Sequence, residues 1–384
     1  MIAYNQEWLD ARLTQDTARE WQAKGLLSSL QWQAIQERYR ANFYSPNVFV
    51  RIGLAIFCLI LMLAVAGLGI VIWEPDEQEG FGLVCLFWGI IWMCLLEFWA
   101  IRSARHYGSG IDDMLLYGGI TAIIAGICIL LPYESPDLVY YWVAFPFLVA
   151  GAVRYADRLL AAAAFLCALG IILLSVKEIP RLALYLLPFA GMIYSAATYQ
   201  FARQGGQRFA WRYWSGLLAV IETLALVTFY GSGNYWVIQQ AGLEFFQLEQ
   251  VPMPWFFWTF TFGVPVLYIL LGLRYKDRLL LDIGLACVGA AVFTFRYYFH
   301  VLPLAWAGVL IGAFLFITAY FSIRYLRKHP GAYTFETGAE KSLLQEIEEQ
   351  LIEQTIASQN APTPVKNEGF GGGQFGGGGA GQDF

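Results

Sequence analysis

The chain has 384 residues and a formal net charge of -5; 58% of it is hydrophobic, 17% aromatic and only 14% charged, and the mean hydropathy is +0.52. Soluble domains carry about 25% charged residues, so composition excludes an ordinary soluble domain and points to a membrane protein. All six cysteines lie in apolar runs with no CxxC pair, and the three histidines (His106, His300, His329) are scattered. A disulfide framework, a zinc site and a metal centre are therefore not expected.

Residues 1–49 are polar and too long for the charged first region of a signal peptide, so no cleavable signal is expected. Their pattern predicts a small cytoplasmic helical module. Trp8, Leu9, Leu13, Ala18 and Trp21 make a first apolar stripe, and Gly25 breaks it. Ser28 or Ser29 caps a second helix carrying Leu30, Ala34, Ile35 and Tyr39, and Ser45-Pro46 ends it.

A membrane span needs about 20 apolar residues. Ten segments qualify: 50–73, 81–101, 114–131, 138–153, 159–176, 182–201, 214–231, 255–273, 279–295 and 301–323. With a cytoplasmic N-terminus, thirteen basic residues fall in the cytoplasmic turns, from Arg102 and Arg105 to Arg324, Arg327 and Lys328. The outer turns hold three: Lys177, Arg181 and Arg296. That asymmetry predicts ten spans with both termini inside. The aromatic groups Tyr140-Tyr141-Trp142 and Trp255–Trp258 fall at the outer interface, where amphipathic rings prefer to sit. The outer stretch 234–250 mixes aromatic and polar residues and reads equally as an interfacial helix or as an ordered loop. After the last span, Leu343, Leu344, Ile347, Leu351, Ile352 and Ile356 form one stripe of a helix over 338–358. Its polar face is acidic and suits a cytoplasmic protein partner better than anionic lipid. The Gly-rich tail 361–384 cannot build a core and reads as disordered.

RYADRLL at Arg154–Leu160 recurs as RYKDRLL at Arg274–Leu280, a shift of 120, and Cys167 matches Cys287. A shift of 121 then aligns Gly191/Gly312, Tyr199/Tyr320 and Arg203/Arg324. The spacing predicts a duplicated four-span unit, 114–213 and 214–328, in parallel orientation. Residues 50–113, with two spans and a basic turn, link that core to the module. In each RYxDR turn, Arg154 or Arg274 complements the C-terminal dipole of the incoming helix. Asp157 or Asp277 caps the outgoing one, ahead of Arg158 or Arg278. Contact with a lipid phosphate or a partner is the functional alternative.

Carboxylates inside spans cost about 2.5–3.5 kcal/mol at the centre on insertion scales, so each is a candidate site. Glu97 and Asp282 lie near span ends and can reach the basic turns. Glu222 is ten residues beyond Arg212, roughly 15 Å along a helix. It reads either as a hydrogen-bonded glutamate joining helices or as a protonatable relay. Arg296 and His300 read as outer-interface anchors, and Asp112-Asp113 as a helix cap. No HExxH, GxSxG, Walker or DDxxD motif is present, so neither a catalytic residue nor a cofactor is expected. Nothing in the pattern favours a nucleic-acid partner.

The run WQAKGLLSSLQWQAI (Trp21–Ile35), followed by Tyr39 and a polytopic region, resembles a bacterial family of membrane proteins known as domain-of-unknown-function family 2157. Trp21, Gly25, Leu26, Leu27 and Gln31 or Gln33 carry the resemblance. It implies a bacterial inner-membrane location and no activity. Two functions stand as expectations: a scaffold or sensor acting through 1–49 and 338–358, with the bilayer and a cytoplasmic protein as partners and a homo-oligomer open, or a transporter or channel with Glu222 as coupling carboxylate.

Overall fold

The computed structural model describes residues 2–75, 78–177, 179, 183–246 and 252–299, with Gly312, Phe316, Tyr320 and Arg324. The expectations for 338–358 and 361–384 lie outside the described residues, as does nearly all of the tenth predicted span.

The described residues form helices and no strand; one isolated bridge joins Tyr44 to His106. In the N-terminal stretch, α1 (Gln6–Ala23) and α2 (Ser29–Arg38) are separated by Gly25, whose φ of 75° suits a residue without a Cβ. Ser28 caps α2 in a reciprocal box with Gln31. α2 ends at Arg38, well before Ser45-Pro46, and Asn47 caps α3 (Val48–Trp73) by accepting from Val50 N–H. Then come α4 (Gln78–Cys94), continued by a π-helical segment (Leu95–Ser103), α5 (Ile111–Leu130), α6 (Asp137–Tyr155), α7 (Arg158–Lys177) and α8 (Ala183–Gly206). A 3-10 segment (Phe209–Trp214) leads into α9 (Ser215–Gly231), followed by α10 (Tyr235–Phe246), α11 (Pro254–Tyr275) and α12 (Arg278–Phe299).

Eight helices among the described residues are long and apolar enough to cross a membrane: α3, α4 with its π segment, α5, α6, α7, the 3-10 segment with α9, α11 and α12. Their outward faces are apolar, with Phe49, Phe57 and Ile72 of α3 largely uncovered. This is an all-α, multi-pass membrane architecture. The sixth predicted span, 182–201, falls in α8. At 24 residues α8 is long enough, but it is not one of the eight. Tyr185, Tyr194, Tyr199, Gln200 and Arg203 lower its apolarity. The stretch 234–250 resolves in favour of a helix: α10 covers Tyr235–Phe246 and buries Ile238 beside Phe257 of α11 and Met192 of α8.

Glycine decides the tightest crossing. A Cβ at Gly126 of α5 would lie 2.8 Å from the Gly82 carbonyl of α4, and one at Gly89 of α4 would lie 3.0 Å from the Gly119 carbonyl of α5. Only residues without side chains let these two backbones approach so closely. The largest core cluster runs from this pair through α6, α7 and α9, and it includes Ile2, Tyr4 and Leu9 of the N-terminal stretch. The module and the bundle share one core.

Candidate functional site

The charged turns of the bundle meet at one end. They are the loop 104–110, the α6–α7 turn, the 3-10 segment and the α11–α12 turn. The N-terminal module docks on the first three.

The loop 104–110 is shaped by its own residues. Arg105, Gly108 and Gly110 have φ of 57°, 58° and 93°. Asp112, 2% exposed, accepts from Gly108 N–H (2.7 Å), Ser109 N–H (2.8 Å) and Ser109 Oγ (2.9 Å). Asp112 therefore closes the loop ahead of α5 and does not cap the helix, which corrects the sequence expectation. Its neighbour Asp113 pairs with Arg51 of α3 at 2.6 Å.

Three successive loop residues grip three pieces of the N-terminal stretch. The Arg105 guanidinium lies 4.9 Å from the Trp8 ring centre of α1, and its carbonyl accepts from Tyr44 N–H at 2.9 Å. The His106 ring meets the edge of Tyr44 at 5.1 Å. Tyr107 N–H donates to the Tyr44 carbonyl (3.2 Å), while its ring stacks on Phe43 (4.8 Å) and meets Tyr4 edge-on (4.8 Å). Arg12 of α1 covers the same Tyr107 ring at 4.9 Å. Such contacts hold by dispersion and by the ring quadrupole.

The other two turns complete the dock. Ala3 N–H donates to the Arg154 carbonyl at 2.8 Å. Arg212 of the 3-10 segment forks onto Asp10 of α1 at 2.9 and 3.0 Å, and the Tyr213 hydroxyl adds a third bond at 2.9 Å. Burial would raise the Asp10 carboxyl, but the hydrogen bonds from Arg212 and Tyr213 and the Arg212 charge outweigh it, and Asp10 sits below its ordinary range. An open cleft runs beneath α1 between Tyr4, Arg12, Asp16, Tyr155 and Tyr213. By contrast, α2 packs on α1 and buries none of its residues; Leu30 of α2 is 76% exposed and Leu26, in the connection ahead of it, 67%.

Of the residues singled out in the sequence, Arg154 meets the module through its carbonyl, and the others are placed by contacts within the bundle. Glu97, on the π segment, accepts from Arg154 Nε (2.6 Å) and Tyr155 Oη (2.7 Å). Arg154 is thus an ion-pair partner of Glu97. The two RYxDR turns share one construction. Ala156 and Lys276 take left-handed φ of 52° and 55°, and their N–H groups return to the carbonyls of Ala152 and Gly272. Asp157 accepts from Leu160 N–H at 2.8 Å; Asp277 accepts from Leu279 and Leu280 N–H at 3.0 and 3.3 Å. The second carboxylate oxygens differ: Asp157 takes the Tyr117 hydroxyl (2.8 Å) and Asp277 takes Arg203 (2.8 Å). Arg158 lies against Gly216 at the start of α9, and Arg274 covers Tyr275. Arg278 and Asp282 form an exposed i,i+4 pair at 3.6 Å. Glu222 lies 3.6 Å from Arg203, so one guanidinium serves both Glu222 and Asp277. His300 lies outside the described residues, and no cluster of metal-ligating side chains occurs among those described.

The sequence places Arg105 and Arg212 among the basic residues of the cytoplasmic turns but does not point to their partners, and it does not mark Asp10, Tyr107 or the π segment. The one available signal was the run ARHYGSG: two glycines bracket a serine one residue ahead of an acidic pair, which marks a sharply folded loop. No protein-family model matches the chain, and neither a curated protein nor a solved structure matches it. The module dock is thus defined by its own geometry.

Proposed function

We propose that this chain is a membrane scaffold or sensor that acts through its N-terminal module and the acidic segment 338–358, in the bacterial inner membrane with both termini cytoplasmic. One observation carries the reading. The bundle holds α1 through Asp10 and Trp8, with Tyr4 just ahead of it in the shared core, and the segment that follows α1 stands clear of the bundle with Leu26 and Leu30 uncovered. A fixed helix that displays a second, exposed helix with two uncovered leucines at its start suits capture of a protein partner. The likeness of Trp21–Ile35 to domain-of-unknown-function family 2157 agrees with this location. The test is deletion of residues 1–44 from the full chain. Partner capture from cross-linked membranes should disappear, and capture that survives the deletion refutes the reading.

The duplicated unit, 114–213 and 214–328 within ten spans, belongs to the same proposal. Its support is the shared turn construction at Asp157 and Asp277 and the burial of both Cys167 and Cys287. The transporter reading draws on Glu222, a part-buried carboxylate that shares Arg203 with Asp277. A Glu222→Gln variant with unchanged flux and proton dependence in proteoliposomes would remove that support.

A further inference from the structure

His106 occupies the centre of the loop that grips the module, and its chemistry is at odds with its surroundings. The residue is 9% exposed. Its Nδ1 is buried with no hydrogen-bond partner among the described residues. Three elements pack around the ring. The linker between α2 and α3 brings Tyr44, edge-on at 5.1 Å. The π segment brings Trp99, tilted at 5.8 Å. The facing charge is Asp112 of α5, whose carboxylate already takes three donors from Gly108 and Ser109. The neighbouring guanidinium, Arg105, is turned onto Trp8, and Tyr107 is engaged by Phe43, Tyr4 and Arg12.

A neutral ring with its proton on Nε2 leaves one weak acceptor unmet at Nδ1. A protonated ring places a charged N–H donor at Nδ1 where none of the described residues offers an acceptor, which is the costlier state. The two aromatic rings and Asp112 offset part of that cost. Burial is the larger effect and holds His106 below its ordinary value.

We infer that His106 is a proton-responsive latch: the neutral ring lets the 104–110 loop hold residues 2–47 on the bundle, and protonation weakens that grip and releases the module. The inference deepens the sensor reading and rests on it, with acidification as the signal. The sign follows from linkage. The released ring takes up a proton near its free value of about 6.5, and the docked ring takes it up only at lower pH. The grip is therefore intact above about pH 6.5 and weakens as the pH falls below it. Between pH 7.5 and 5.5 the release equilibrium rises by at most about tenfold, the ceiling for one histidine of that free value.

The experiment is hydrogen exchange of residues 2–47 in the full chain in lipid nanodiscs, at pH 7.5 and 5.5, corrected for intrinsic exchange. The wild type should show increased release at pH 5.5, up to the tenfold ceiling, and His106→Phe should show a flat profile. The variant His300→Gln/His329→Gln leaves His106 as the sole histidine of the three. It should keep the response, and its ring nitrogen signal should titrate below about 6.5. A flat wild-type profile, a His106→Phe variant that keeps the response, or a ring midpoint at or above about 6.5 would each overturn the latch. The deletion of 1–44 reports separately. Partner capture without a pH response refutes the latch alone; a pH response without partner capture refutes the scaffold reading alone.

Discussion

Replacing Asp10 by Ala tests the dock most directly. The substitution removes both bonds of the Arg212 fork and the bond from Tyr213. The Asp10 side chain is 46% exposed and that of Arg212 23%, so solvent screens the pair. Exposed ion pairs contribute about 0.2–1 kcal/mol, and fork geometry favours the upper end. The Tyr213 bond adds about 0.5 kcal/mol, the low end for a net hydrogen bond. The sum is about 1.4 kcal/mol, or roughly tenfold in the ratio of docked to released α1. Released α1 should fray, because 18 residues of ordinary composition are marginal as an isolated helix. Hydrogen exchange in nanodiscs should then show α1 amides exchanging about tenfold faster, with those of α11 and α12 unchanged. Tyr4 and Leu9 remain buried in the shared core, so α1 should loosen without detaching. Leu9→Ala should exceed Asp10→Ala in effect, since removing a core leucine costs about 2–5 kcal/mol. Unchanged α1 exchange in Asp10→Ala would refute the reasoning, as would equal acceleration in α11 and α12.

The remaining expectations concern the same end of the bundle and its tightest crossing. Because Asp10 sits below its ordinary range, its contribution to the dock is present above the free carboxylate value, about 3.9, and is lost as the pH falls through the docked value. Exchange of α1 should therefore show an acid phase that Asp10→Ala lacks. Asp277→Ala removes the cap of α12 and the shortest ion pair of Arg203, leaving it Glu222 and the Tyr199 hydroxyl, for about 2–3 kcal/mol. Asp157→Ala removes the cap of α7 and the Tyr117 bond, for about 1–2 kcal/mol, and a thermal melt in detergent should rank the two in that order. Gly126→Ala places a Cβ 2.8 Å from the Gly82 carbonyl and should lower stability by about 1–3 kcal/mol. The same change at Gly53 or Gly67 of α3 meets no atom within 4 Å and should leave the melt unchanged.

What could be read from the sequence followed from the strength of local signals. Long apolar runs predict spans because every backbone group in lipid must bond within its own helix, and eight such helices are present among the described residues. The Ser28 box and the Gly25 break were legible because capping and positive φ depend on near neighbours. So was the capping role of Asp157 and Asp277. The dock was not legible. Asp10 and Arg212 are 202 positions apart, and no local rule pairs them. Asp112 misled for a related reason. An acidic residue in the first turn of a helix usually meets that helix's own N–H groups, but Gly108 and Gly110 fold the chain back so that the loop's N–H groups reach the carboxylate first. The π segment was invisible as well, since a wider turn leaves no signature in hydropathy, although it carries Glu97 to Arg154 and Tyr155.

The placement of charge bears on what Glu222 can do. Each carboxylate that the sequence flagged near the membrane has a cation within 4 Å: Glu97 with Arg154, Asp282 with Arg278, and Glu222 with Arg203. The three pairs differ in how replaceable that cation is. Asp282 and Arg278 are both largely exposed, and water can take over for either. Glu97 keeps the Tyr155 hydroxyl if Arg154 leaves. Glu222 has Arg203 alone among the described contacts, at 3.6 Å, and Arg203 is held closer to Asp277, at 2.8 Å. A coupling role for Glu222 would need Arg203 to move away and a proton or cation to replace it. Arg203 stands on α8 and Asp277 in the α11–α12 turn, so α8 would have to slide against that turn. Locking the two elements should then abolish transport: a cross-link between cysteines placed beside Arg203 on α8 and beside Asp277 in the α11–α12 turn, with Arg203 and Asp277 themselves retained, that leaves flux unchanged would show that Glu222 serves packing alone.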